Sequence, residues 1–219
     1  MTLTDILDQG ARRLGVSLTP QQVETLFLFL DELQKWNQKI RLTAIEDRKE
    51  MVIKHLLDSI SYFNGFAPRE GMRLMDIGAG AGFPGIPLKI CAPEISVTLI
   101  ESSQKKSAFL NHAVRTLKLG NVSIMAERIE KLGEPRDVRR RFDIIAARAL
   151  GSTEQVVQWS RPWLHADGKL LLSKGPDVVS ETNLFRQKQS IDGLVVQQII
   201  PFTLPFSDYQ RNLVVLGLR

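Results

Sequence analysis

Cysteine is almost missing: Cys91 is the only one in 219 residues. That excludes an intrachain disulfide and a zinc site built from clustered thiolates, and it suits a reducing compartment. No metal site is expected. Long apolar runs are missing as well, since no window approaches the roughly 18 residues needed to cross a bilayer. At the amino terminus, "MTLTDILDQGARRLG" places Asp5 and Asp8 where an export signal needs a basic segment and then an unbroken apolar one. The expectation is a cytoplasmic protein without a membrane partner. There is no internal repeat and no low-complexity tract, which removes solenoids and fibrous classes. What remains is an ordinary globular composition, 43% apolar, in a chain long enough to bury about 70% of its unfolded surface. Acidic residues are in deficit, 24 against 29 Lys and Arg for a net charge of +5. A mild excess of this kind favours an anionic partner without singling out nucleic acid.

The first seventy residues read as helix. A short one covers about 3–14. In "LTPQQVETLFLFLDELQKWNQKI", Thr19 stands as N-cap, Pro20 at the first helical position and Gln22 three residues beyond the cap. Leu26, Leu30, Leu33 and Ile40 recur on one face, so this helix packs against something. "DRKEMVIKHLLDSISYF" is a third helix, stopped by "NGFAP". From residue 73 the period shortens. "RLMDI", "SVTLI", "NVSIM", "FDIIAA" and "GKLLLSK" are short apolar runs with helix-length segments between them, as a parallel sheet covered on both faces requires. "LVVQQIIPFTLP" and "RNLVVLGLR" lack such a spacer and predict an antiparallel hairpin at the sheet edge, with Pro201 and Pro205 at its margin or in its loop. The fold expected is α/β: a Rossmann-like sheet of seven strands, mostly parallel, over residues 71–219, with a helical extension over 1–70.

"MDIGAGAGFPG" packs four glycines, Gly78, Gly80, Gly82 and Gly85, directly behind the first strand. Glycines there let a ligand lie against bare main chain, at the place where open α/β sheets bind ligands. A literal G-x-G-x-x-G, "GAGFPG", raises a dinucleotide. Pro84 and Pro87 oppose it, because they lack N–H groups where a pyrophosphate would seek donors. A ligand poor in phosphate suits the turn better, and S-adenosylmethionine is one. Glu101, ending the second strand, can accept from both ribose hydroxyls; the other reading is an ordinary strand-end carboxylate. Asp76 can meet the cofactor's ammonium group or a water, and it can cap the turn; the two roles can coexist. After the third strand, "AERIEKL" can serve the adenine, with Ile129 over the ring, while Glu127 and Glu130 also read as solvated helix charge.

"KWNQKIRLTAI", "HLLDSI", "DIGAGAGFPGIPL", "AARAL" and "LLSKG", in this order, resemble the glucose-inhibited division protein B family, and the similarity runs from about residue 19 to the final strand. The resemblance implies a methyltransferase acting on N7 of a guanine in bacterial small-subunit ribosomal RNA, with that RNA or the assembling subunit as partner. It implies S-adenosylmethionine contacts at Gly78 and Phe83, at Ile129 and Glu130 rather than Glu127, and at Arg148. Arg211 in "YQRNLVVL" matches the family's basic position in the last strand. The loop "GEPRDVRRRF" is longer and more basic than expected from the family.

The chemistry is consistent. Guanine N7 offers a lone pair and no proton, so in-line attack needs positioning and no general base. The N-P-P-aromatic motif of exocyclic-amine enzymes is replaced by "AARALGS", and Cys91 lies too early to be a cytosine nucleophile and reads as core packing. Arg148 is the candidate catalytic group, orienting the base from the side because a cation directly at N7 would oppose the developing charge; the other reading is a structural ion pair at a strand end. Lys174 and Arg211 are each either an RNA phosphate contact or simple solvated charge, and the run 139–141 is either a phosphate patch or a solubilising loop. His55 and Asp58 are either an ordering pair one helical turn apart or a structural histidine with a neighbour. Two other classes remain open: a nicotinamide dehydrogenase, and a non-catalytic RNA-binding protein of the same fold. A monomer is expected.

Overall fold

A computed structural model describes residues 1–133, 135, 141–148, 150–176 and 192–218. Arg139 and Arg140 of the basic run lie outside the described residues. Helix α1 (Leu3–Arg13) opens on a Thr2–Asp5 capping box. Helix α2 (Pro20–Asn37) opens on the predicted one: Thr19 Oγ1 accepts from the Gln22 N–H, and Gln22 Oε1 accepts from the Thr19 N–H at 2.8 Å. Gln22 also donates from Nε2 to the carbonyls of Ile90 and Cys91, so the cap doubles as a tie to the next layer. Leu26, Phe29, Leu30 and Leu33 form the buried face. Ile40 does not extend this helix as its spacing suggests. Asn37 Oδ1 accepts from the Leu42 and Thr43 N–H groups and pulls the chain out of helical register.

Residues 48–64 are helical but not one regular helix. Helix α3 (Arg48–Met51) passes into a π turn (Val52–Leu57), then α4 (Asp58–Ile60), then a 3₁₀ turn (Ser61–Asn64). The apolar spacing alone predicts a plain helix and is silent about the π turn.

The sheet follows expectation, with strands β1 (Arg73–Ile77), β2 (Ser96–Ile100), β3 (Val122–Met125), β4 (Phe142–Arg148), β5 (Leu164–Lys174), β6 (Leu194–Thr203) and β7 (Gln210–Leu218). Helices α5 (Gly85–Cys91), α6 (Gln104–Thr116) and α7 (Thr153–Ser160) lie between them. The described strands are ordered β3-β2-β1-β4-β5-β7-β6. β1 to β5 are parallel, and β7 pairs antiparallel with both β5 and β6. Pro201 falls in the edge strand β6, where a missing donor costs little, and Pro205 falls in the hairpin loop. The apolar runs are continuous because both faces are buried. Leu74, Ile144, Ala146, Leu171 and Leu213 point into the core shared with α1, α2 and α5. Met75, Ile145, Leu170, Leu172 and Val214 point into the core under α7. Among the described residues no helix is long and apolar enough to cross a membrane.

The chain winds outward in opposite directions from β1 and β4, so the crevice beyond the carboxyl ends of these two strands is the topological switch point. Tyr62, fully buried, fixes one side of it: its hydroxyl donates to Ala147 C=O at 2.8 Å and accepts from the Ser173 N–H at 3.3 Å. The helical run over 48–64 is thereby fastened to the ends of β4 and β5.

Candidate functional site

The glycine turn is held by its neighbour strand, with the N–H groups of Gly78 and Ala79 both donating to Ile100 C=O. Gly78, Gly80 and Gly82 have φ of 71°, 58° and 90°, in the left-handed region that side chains disfavour. At Gly80 an added Cβ would meet nothing nearer than the Gly78 carbonyl at 3.8 Å, so the main chain faces open space. Gly85 is different. Its φ is ordinary, and a Cβ there would come within 2.4 Å of Leu99 and 2.8 Å of Asp76 Oδ2. It makes room for Asp76, not for a ligand.

Asp76 is fully buried, and its Oδ2 accepts from the Gly85 N–H at 2.8 Å while Oδ1 has no partner. The structure shows the turn cap, the second of its two expected roles. Burial pushes the Asp76 carboxyl up to about 7, the Gly85 hydrogen bond and Arg148 acting against it and Glu101 with it. A carboxyl raised in the fold makes the native state bind the extra proton between about pH 4 and pH 7. Its contribution is full below pH 4 and lost as pH rises through 7. The melting temperature of the ligand-free protein is therefore expected to fall from pH 5 to pH 8, by an amount corresponding to about 2–4 kcal/mol. Asp76→Asn should flatten that slope, which thermal unfolding across this range measures.

A cavity of about 370 Å³ opens above the turn, lined by Gly78, Gly80, Glu101, Ile129, Glu130 and Arg148. Glu101 is 7% exposed; its Oε2 accepts from the Gly80 N–H at 2.9 Å and its Oε1 from the Ser103 N–H at 2.7 Å. These two bonds fix the carboxylate plane and leave each oxygen a second lone pair. Glu127 lines the cavity beside Glu130. Phe83 does not line it: its ring is 3% exposed and stacks on His55, with centroids 4.4 Å apart and planes at 16°. Cys91 belongs to the core margin, and burial pushes its thiol up to about 12.

A second cavity, of about 490 Å³, adjoins the first across Arg148 and Leu150. Lys54, Arg148, Lys174 and Arg211 give it four cations against one buried carboxylate, Asp58. Sequence reasoning missed Lys54, although it adjoins the noted His55; its ammonium sits 4.0 Å above the Tyr209 ring and pairs with Glu50. It also missed Trp159 and Leu150, which wall the first cavity and have no spacing signal of their own.

His55 and Asp58 do not bond each other. Asp58 accepts from Arg148 Nη1 at 3.1 Å and from Arg211 Nε at 3.3 Å. His55 Nε2 lies 2.9 Å from Thr43 Oγ1, and its Nδ1 faces Arg148. Burial, then the Arg148 charge, push the imidazole down to about 3, so the ring is neutral.

Comparison with known proteins agrees with this geometry. Residues 22–214 match the model of the GidB family, described as rRNA small subunit methyltransferase G. Proteins named ribosomal RNA small subunit methyltransferase G from Alkaliphilus oremlandii and from a Geobacter species are each 38% identical to this chain. The first alignment covers 99% of this chain and 90% of that protein; the second covers 97% and 96%. Among solved structures, a SAM-dependent methyltransferase from Aquifex aeolicus superposes with a TM-score of 0.58 at 18% identity, over 78% of this chain and 94% of that one. A SAM-dependent methyltransferase from Thiobacillus denitrificans, solved with S-adenosyl-L-homocysteine, gives 0.57 at 13%, over 85% and 98%. The solved structures establish the fold, and the sequence relatives, aligned over nearly the whole length, establish the kinship: the chain belongs to the GidB family of rRNA small subunit methyltransferases.

Proposed function

We propose that the protein transfers a methyl group from S-adenosylmethionine to N7 of a guanine in small-subunit ribosomal RNA, acting as a monomer in the cytoplasm on the RNA or the assembling subunit. Residues 71–219 form the methyltransferase domain in this reading and residues 1–70 its helical extension. The observation that carries it is Arg148, standing in the wall shared by an acid-anchored cavity over bare main chain and a cavity rich in cations.

The first cavity fits the cofactor. Gly80 opens onto it without a side chain, Glu101 is a fixed acceptor for sugar hydroxyls, and α5 begins at Gly85 with Pro87 at its third residue, which suits a ligand without phosphates. When bound, S-adenosylmethionine supplies an electrophilic sulfonium methyl group. Gly78, Gly80, Glu101, Ile129 and Glu130 would hold it, with Arg148 at its reactive end and Phe83 supporting from beneath the turn. On the other side, Arg148 orients the base while Lys174 and Arg211 meet the phosphates.

The second cavity lacks a group poised to take a proton, among the described residues. Both nitrogens of His55 are engaged, and Asp58 is only 2% exposed, with an arginine on each oxygen. That matches a nucleophile such as N7, which has no proton to lose, and it does not match an exocyclic amine.

Small-subunit RNA and assembled subunits, incubated with labelled S-adenosylmethionine and digested to nucleosides, should yield label in 7-methylguanosine alone. Label in another nucleoside would overturn the N7 assignment. No label in either substrate, together with calorimetric binding of NAD and not of S-adenosylhomocysteine, would overturn the reading as a whole.

A further inference from the structure

The helical run over residues 48–64 offers three acceptors to a single guanidinium. Lys54 C=O and Asp58 Oδ2 each accept from Arg148 Nη1 at 3.1 Å, and His55 Nδ1 lies 3.4 Å from Arg148 Nη2. In a regular α-helix the carbonyl of residue 54 is taken by the N–H of residue 58. Here the Asp58 N–H is shared between His55 C=O and Ile53 C=O and passes over Lys54 C=O, which accepts from Arg148 Nη1 instead. Turns of this kind recur where a helix serves a site.

His55 has little freedom. Its ring lies flat on Phe83, and Nε2 is 2.9 Å from Thr43 Oγ1. With its acceptor nitrogen toward the permanent cation, the single donor of the neutral imidazole, Nε2–H, goes to Thr43. Asp58 is 2% exposed, and its second oxygen accepts from Arg211. One carboxylate thus joins a cation ending β4 to a cation on β7, and offsets their mutual repulsion before RNA arrives.

We propose that Asp58 and His55 are positioning residues: they clamp Arg148, and through Asp58 also Arg211, at one orientation in the wall between the two cavities. The remaining N–H groups of Arg148 are then presented to the target nucleotide without a rotamer search. This rests on the proposed methyl transfer, where displacing an orienting group by about 1 Å can cost 10²-fold.

Two readouts keep the clamp and the methyl transfer separately testable. Guanidinium N–H resonances of Arg148 should be resolved in the wild-type protein and average together in Asp58→Asn, whether or not the protein methylates RNA. Averaged signals already in the wild type would overturn the clamp. In the methyl-transfer assay, Asp58→Asn should lower kcat about 10–10²-fold, with a smaller change in the dissociation constant for S-adenosylhomocysteine. His55→Leu should lower it several-fold, and His55→Gln, which keeps an acceptor, should restore part of the loss. In an Arg148→Ala background the Asp58→Asn effect should vanish, because it acts through that side chain. Full additivity of the two substitutions, or wild-type kcat in both Asp58→Asn and His55→Leu, would overturn the proposal. Absence of RNA methylation by the wild type would instead count against the function, leaving the resonances to decide the clamp.

Discussion

Arg148→Ala should lower kcat/KM for methyl transfer about 10³-fold, equivalent to about 4 kcal/mol of transition-state stabilisation. The size follows from what the side chain does. A hydrogen bond from a charged group contributes about 1.5–3 kcal/mol, and Arg148, which lines both cavities, has five N–H groups, more than its contacts to Lys54, His55 and Asp58 engage. Truncation also removes a cation lying 5.3 Å over the Phe83 ring, beneath the glycine turn. Arg148→Lys should recover no more than about tenfold of the loss, since an ammonium keeps the charge but not the planar fork that Lys54, His55 and Asp58 grip together. Single-turnover rates with saturating S-adenosylmethionine measure this directly. If Arg148→Ala keeps more than a tenth of the wild-type rate, the arginine belongs to the scaffold and the shared wall has no part in the chemistry. Folding is checked by thermal melting, because Asp58 is left buried with Arg211 as its remaining ion-pair partner.

Much of this was legible in the residues. Strands β1 and β2 appear with the bounds that their apolar runs predict, and the Thr19–Gln22 box sets the start of α2, because both features are local and periodic. That Gly78, Gly80 and Glu101 share one cavity was legible for the same reason: they end neighbouring parallel strands, and the apolar runs mark both strand ends. Other features depend on contacts distant in sequence and escaped. The spacing of His55 and Asp58 suggested a pair, yet each meets a residue 90 or more positions away, Arg148 in both cases. The π turn that makes this possible has no signature in the apolar pattern. Asp76 was ambiguous because its role depends on Gly85, which is ordinary in φ and was readable only as one more glycine of the turn. Phe83 is placed among contacts by family resemblance, but its ring packs between His55 and Phe29, so its side chain braces the turn from behind.

Glu101→Gln tests the other wall. The carboxylate is acceptor-only, and the structure uses that: Gly80 N–H donates to one oxygen and Ser103 N–H to the other. An amide of the same size keeps one acceptor, so one of these donors is left facing an NH₂ group in a site that is 7% exposed. The ribose hydroxyls of the proposed cofactor lose the charged acceptor at the same time. Two charge-assisted bonds weakened by about 1.5–2 kcal/mol each correspond to a 10²–10³-fold weaker dissociation constant for S-adenosylhomocysteine. Isothermal titration calorimetry reads this value. Glu101→Asp should lie between, retaining the charge but withdrawing it from Gly80. The loss should fall on cofactor affinity, and at saturating S-adenosylmethionine the variant's kcat should stay within about tenfold of wild type, because in the proposed function Glu101 holds the sugar and not the reacting atoms. A Glu101→Gln protein that binds S-adenosylhomocysteine as tightly as wild type would show that the cofactor's sugar lies elsewhere, and with it would go the assignment of the cavity above the glycine turn.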